Sequence, residues 1–220
     1  MIARDNTPAG GNVPDTQISE HQMKVLNTAF TGTGLQFRLA GIDRSISADW
    51  FTNADPGTPQ QRNMKATLRK GGAADLNLYT VKGGKTVEGI QTLGWSTFPS
   101  AFQQNPGDDG VVIAVDTLPG GSLAPHNQGI NAVHEVGHWV GLYNTFQGGC
   151  EPPGDYVDDT PAEATPASSC PEGRNSCPDR PGKDPIHNYM DATDDTCRHE
   201  FTPGQIQRLQ SQMATYRGIN

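Results

Sequence analysis

The chain has 220 residues, a net charge of -8, 34% hydrophobic residues and a mean hydropathy of -0.59. The acidic balance excludes a basic nucleic-acid footprint, and no run of about 18 apolar residues offers a membrane span. The length suits one domain with a sizeable core, while 26 glycines and 17 prolines imply much irregular chain.

Residues 1–15 are polar with Gly and Pro and are expected to form a flexible arm, leaving residues 16–220 as one domain. The opening "MIARDNTPAGG" has no apolar signal-peptide core, so the chain is expected to be a mature or recombinant form, with any leader and pro-segment removed. Ile18, Met23, Val25, Leu26 and Phe30 recur near helical spacing, which predicts a helix over about 16–30. Its His21 has no second ligand type one turn away and is expected at the surface. Leu35 to Leu39 alternate apolar and polar residues and predict a strand. "TPQQRNMKATLRKGG" predicts a helix ending at Gly71, with Lys65, Arg69 and Lys70 near its negative dipole end. "DLNLYTV" and "DGVVIAVDTL" predict two further strands, and "LGWSTFPSAF" between them a short irregular edge whose aromatics are expected in the core. "QGINAVHEVGHWVGL" predicts a helix over about 128–142, with Gly141 reversing the chain at its end. The stretch 147–197 is rich in Pro, Gly, Asp and Cys and predicts loops. "TPGQIQRLQSQMATYR" predicts a closing helix, with Thr202 as N-cap and Pro203 in the first turn.

The stretch "HEVGHWVGLYN" carries the chemistry. His134 and His138 are one helical turn apart, so two imidazoles can meet one zinc ion. Glu135 is one step round, placed to work as general base and acid without ligating. The apolar remainder of the helix (Ile130, Val133, Val136, Trp139, Val140, Leu142) argues against an exposed helix that merely carries these residues. A zinc site needs a third protein ligand, and the residue three beyond Gly141 is Asn144. The four cysteines, Cys150, Cys170, Cys177 and Cys197, fit either two disulfides or a second metal site. Their spacing lacks the CxxC knuckles of structural zinc sites, which favours disulfides in an extracellular protein.

"HEVGHWVGLYNTF", followed by "CEPPGDYVDDTP" and "HNYMD", resembles the metzincin zinc endopeptidases, and within them the pappalysin or cytophagalysin family with its secreted fungal members. The resemblance runs from about Ile18 to Arg217. It implies an α+β fold, with a twisted mixed sheet and helices in an upper part and a loop-rich, disulfide-stapled lower part. It also implies a division into N-terminal (16–143) and C-terminal (144–220) subdomains. His134 and His138 would be zinc ligands, Glu135 the catalytic residue, and Met190 the Met-turn beneath the metal. "LGWSTFPS" and "DGVVI" would form the cleft's upper rim, where an extended peptide adds as a strand. The implied disulfides pair Cys150 with Cys177 and Cys170 with Cys197, and Asp155, Asp158 and Thr160 would offer oxygen ligands to calcium. A secreted monomer acting on protein or peptide substrates is expected.

Two departures fall on functional positions. The family has His where this chain has Asn144, and Tyr two residues after the Met-turn methionine where this chain has Ala192. An amide oxygen is a weak zinc ligand, and losing the phenol removes an oxyanion donor. The coincidence points to engineering or altered function. The expected activity is a zinc endopeptidase, slowed; the alternative is a relative that binds peptides or proteins without cutting. His126, His187 and His199 are the substitute ligands to consider, each expected to be structural. Asp194 and Asp195, near the expected wall of a specificity pocket, would favour Lys or Arg.

Overall fold

A computed structural model describes residues 1–83, 86–87 and 90–219, so 84, 85, 88, 89 and 220 of the expected 16–220 unit lie outside the described residues. The architecture is α+β. Strands β1 (Ile2–Ala3) and β2 (Ser45–Ile46) pair in parallel. Helices α1 (Met23–Ala29), α2 (Ala48–Asn53) and α3 (Pro59–Leu68) precede β3 (Leu78–Val81). After β4 (Thr86–Val87) and β5 (Ile90–Gln91), an antiparallel pair, come β6 (Gly94–Ser96) and β7 (Val111–Ala114). Helix α4 (Ile130–Trp139) and helix α5 (Pro203–Arg217) complete the order.

The central sheet runs β3-β7-β6 and is mixed: Leu78 pairs with Val111 in parallel, and Gly94 with Ile113 in antiparallel sense. All four residues of β7 are buried, as a central strand covered on both faces requires. Strands β3 and β6 are the sheet's two edges. Trp139 and Met190, both in the hydrophobic core, join α4 and the lower chain to that sheet. α5 closes the core through Leu209 and Met213. Its Arg217 pairs with Asp109 at 2.9 and 3.1 Å, both side chains fully buried, while Trp139 donates to the same carboxylate at 3.2 Å. Thr202 and Gln205 form the capping box that starts α5.

Three expectations need correction. The first fifteen residues are anchored rather than loose: Ile2 is fully buried in the core, and Ser45 N and Ser47 N donate to Met1 O and Ala3 O. The polar run after it masked two residues whose strand partner lies some forty positions away. The stretch from Leu35 to Leu39 is extended but forms no strand, because Asn27 supplies its partner groups. Asn27 Oδ1 accepts from Phe37 N at 2.8 Å and its Nδ2 donates to Phe37 O at 2.9 Å, a side chain doing a neighbouring strand's work. The helix expected over 16–30 is split, with a π-helical segment at Gln17–Gln22 before α1. Between 141 and 201 the described chain holds no helix, only one bridge between Asn188 and Glu200. Disulfides Cys150–Cys177 and Cys170–Cys197 staple it, in the pairing the resemblance implied.

Candidate metal centre

His134 and His138 share one face of α4, with ring centroids 4.8 Å apart. A carbonyl orients each ring: His134 Nδ1 lies 2.9 Å from Tyr189 O, and His138 Nδ1 lies 2.8 Å from Leu142 O. Carbonyl oxygens only accept, so both Nδ1 atoms carry the proton and both Nε2 atoms present lone pairs. Burial holds His134 well below its ordinary pKa, with His138 and Arg198 pushing the same way. Burial also lowers His138, against the Leu142 carbonyl and Asn144. Neutral imidazole is the ligating form.

α4 ends in a Schellman turn. Gly141 N donates to His138 O and Leu142 N to Gly137 O, both at 2.9 Å, with Gly141 at φ +106°. That turn brings Leu142 O to His138 and returns Tyr143 and Asn144 to the cleft. The next residue fixes the return: Thr145 N donates to Met190 O at 3.2 Å, and its hydroxyl to Glu163 Oε2 at 2.7 Å. Asn144 Oδ1 is buried without a hydrogen-bond partner, although the side chain stands close enough to act on both imidazoles. Two Nε2 lone pairs thus lie near an amide oxygen that has no hydrogen-bond donor. A cation among them relieves that arrangement, so the residues fit a metal ion. The described residues hold no third histidine, cysteine or carboxylate close enough to His134 and His138 to complete a stronger set.

Met190 is fully buried beneath α4 at Gly137, where a Cβ would stand 2.3 Å from its Sδ. Asn188 shapes this turn by accepting from Met190 N at 2.9 Å, and it exchanges amide hydrogen bonds with Gln205 of α5. Glu135 is 5% exposed, and its Oε2 is buried without a partner. Burial pushes its carboxyl up to about 8, against the nearby Arg198 guanidinium. Gly94 of β6 makes room for it, since a Cβ there would stand 2.7 Å from Glu135 Cγ.

The cleft above this centre has a volume of about 410 Å³, lined on its β6 side by Gly94, Trp95, Ser96 and Phe98. Phe98, expected in the core, instead faces His138 with ring centroids 5.5 Å apart; Trp95 is half-buried against the core. Of "DGVVI", expected on the rim, Val111 to Ile113 lie in the buried central strand, because β6 lies outside them. Ala192 is exposed and does not line the cleft. His126 lies beside Asp195, while His187 and His199 stack on each other and bond Cys197 O, so none joins the centre. Asp195 is committed as well: it is buried, paired with Arg198 at 2.9 Å and bonded to Gln128 N, leaving no free charge for a basic side chain.

In the lower loops Asp155 and Thr160 meet. Thr160 Oγ1 lies 2.8 and 2.7 Å from the two Asp155 oxygens and 2.8 Å from Val157 O. Asp158 is exposed and stands outside this group. Its neighbour Asp159 instead caps α5, taking Thr202 Oγ1 at 2.6 Å and Gly204 N at 2.8 Å. The sequence pattern did not mark Gly94, Arg198 or the chain from Thr145 through Glu163 to Arg174, whose guanidinium donates to Glu163 Oε1 at 2.6 Å. Only the glycine left a local trace, as a residue unfavourable inside a strand.

Residues 112–214 match the peptidase family model described as "Pregnancy-associated plasma protein-A". An extracellular metalloprotease of Pyricularia oryzae is 47% identical over 221 residues, covering 99% of this chain and 74% of that relative. One from Sordaria macrospora is 46% identical over 220 residues, covering 99% and 73%. Among solved structures, mature mirolysin of Tannerella forsythia in complex with a cleaved peptide aligns with a TM-score of 0.78 at 26% identity. That alignment covers 96% of this chain and 88% of that one.

Proposed function

The chain belongs to the pappalysin family and is an extracellular metalloendopeptidase; from that premise we propose that His134, His138 and Asn144 hold zinc weakly and that Glu135 moves the proton in peptide-bond hydrolysis. The observation that carries this reading is the convergence of two lone-pair Nε2 atoms on an unpartnered amide oxygen, beside an unpartnered buried carboxylate. When bound, zinc supplies Lewis acidity towards the peptide carbonyl and lowers the pKa of water. Glu135 takes a proton from the attacking water and returns it to the leaving nitrogen. Burial raises the affinity of its carboxylate for that proton, which suits both roles near neutral pH. The outer edge of β6, unpaired among the described residues, offers backbone groups to an extended substrate strand.

Asn144 and Ala192 support reduced catalysis. The amide oxygen is a poorer donor than imidazole, and Ala192, which does not line the cleft, has no side chain long enough to reach into it with a proton for a developing oxyanion. Peptide binding without turnover is therefore the second reading. Asp155, Thr160 and Val157 O form a second proposed cation site, for calcium. Thr160 Oγ1 stands within 2.8 Å of both Asp155 oxygens and of Val157 O, and oxygens of these kinds are the ligands a calcium ion takes. The protein is read as a monomer, with the sheet and α1–α4 above the cleft and residues 144–220 below. The test is metal content after dialysis alongside cleavage of a denatured protein. Less than one zinc per chain, with slow, chelator-sensitive and Glu135-dependent cleavage, is expected. Cleavage that survives Glu135→Ala refutes the assignment.

A further inference from the structure

An aromatic path leaves the cleft and ends in solvent. Phe98, which faces His138, stacks on Tyr143 at 4.9 Å, and Tyr143 stacks on Tyr156 at 5.5 Å. Arg208 of α5 lies over both tyrosines, 5.0 and 5.5 Å from their ring centroids, and is anchored by its Nε donating to Gly141 O at 2.9 Å. Tyr156 is 57% exposed, one of three exposed large apolar side chains among the described residues; the others, Leu39 and Ile46, lie outside this path. Its backbone sits at φ +63°, a region that disfavours a bulky side chain. Such strain persists only where the surroundings impose it, and it gathers at functional sites. Here the loop is fixed from below by the buried Asp155, which accepts from Val157 N and Thr160 Oγ1.

We propose that Tyr156, with Tyr143 and the Arg208 bracket, is a distal substrate subsite: a ledge that takes an apolar or aromatic side chain of an extended peptide. This rests on the peptidase reading, since the ledge starts at Tyr143, which lines the cleft with Phe98. Two ring steps of 4.9 and 5.5 Å place Tyr156 about three extended residues or fewer beyond Phe98. Peptides too short to span that distance do not reach it. The ring itself is the recognition element; the hydroxyl is not needed.

The test is calorimetric binding of two synthetic peptides to the zinc-supplemented Glu135→Ala chain, which leaves them uncut. One is long, with a phenylalanine at the distal position; the other is truncated before it. In that background, Tyr156→Ala and Tyr156→Gly should weaken the long peptide about tenfold and leave the short one unchanged, while Tyr156→Phe retains both affinities. Tyr156→Gly should also melt at the same temperature as its parent or higher, because glycine relieves the backbone strain. Equal weakening of both peptides, or no change in either, overturns the ledge, as does a glycine variant that melts lower. A concentration-dependent dimer that Tyr156→Ala abolishes also overturns it, in favour of a self-association surface. If the wild-type chain cuts neither peptide yet the length-dependent binding persists, the peptidase reading fails and the ledge stands.

Discussion

Asn144→His tests the weakest point of the proposed metal centre. The backbone that presents residue 144 is fixed from both sides, by the Schellman turn at Gly141 and by Thr145 bonded to Met190 O and Glu163. An imidazole there therefore starts from a held Cα, on a side that opens to the cleft, with space to enter. It replaces an orphaned amide oxygen by a nitrogen of the kind already present twice. Removing even an outer hydrogen-bond partner of a ligand costs about 10–100-fold in affinity, so converting the third ligand itself should gain at least about 100-fold, or about 3 kcal/mol. Competition with a chelator of known zinc affinity reads this directly, and metal content after dialysis should rise to one zinc per chain. Glu135→Ala in the same background should keep the new affinity and lose cleavage, which separates holding the ion from moving the proton. An unchanged zinc affinity in a folded Asn144→His chain refutes the assignment of residue 144 to the ligand set.

Three further outcomes follow from the same geometry. Gly94→Ala places a Cβ 2.7 Å from Glu135 Cγ, so the carboxylate must swing away; cleavage should fall by about tenfold or more with zinc affinity unchanged, and equal loss of both refutes the specific clash. Asp109→Ala leaves Arg217 buried and unpaired and should cost about 3–5 kcal/mol in denaturant unfolding, whereas a loss below about 1 kcal/mol would show the pair to be idle. Glu163 sets a pH dependence of stability. Burial, with Asp191 and Asp184 nearby, pushes its carboxyl up from 4.5 to about 7, against Thr145 and Arg174. The folded state then holds the proton between about pH 4.5 and 7 while the unfolded chain has lost it. Its contribution, about 3 kcal/mol, is present below pH 4.5 and is lost as pH rises through 7. Glu163→Gln should flatten that slope between pH 5 and 7, and an unchanged slope refutes the assignment.

What could be read in advance was what repeats locally. The pair His134 and His138 declares itself by helical spacing, Gly141 by its place after the last turn, and the Thr202–Pro203 start of α5 by cap chemistry. Whatever depends on a distant partner left little mark. Ile2 looked like part of a polar arm because Ser45 is its neighbour only in space. Leu35 to Leu39 alternate as a strand does, yet one asparagine from the preceding helix took their hydrogen bonds. Asp195 seemed free to define a pocket until Arg198 was found against it.

The same distinction explains how the centre can be altered without the fold failing. His134 and His138 are oriented by backbone carbonyls, Tyr189 O and Leu142 O, which do not depend on which side chain stands at 144. Met190 is held by Asn188 and Gln205, and by the space that Gly137 leaves above it. Thr145, not Asn144, ties the ligand loop to the Met-turn. Residue 144 therefore contributes a donor atom to the cavity and almost nothing to the scaffold around it. On the proposed ligand set, an imidazole introduced at 144 should therefore strengthen the grip on the ion while the rest of the site keeps its shape.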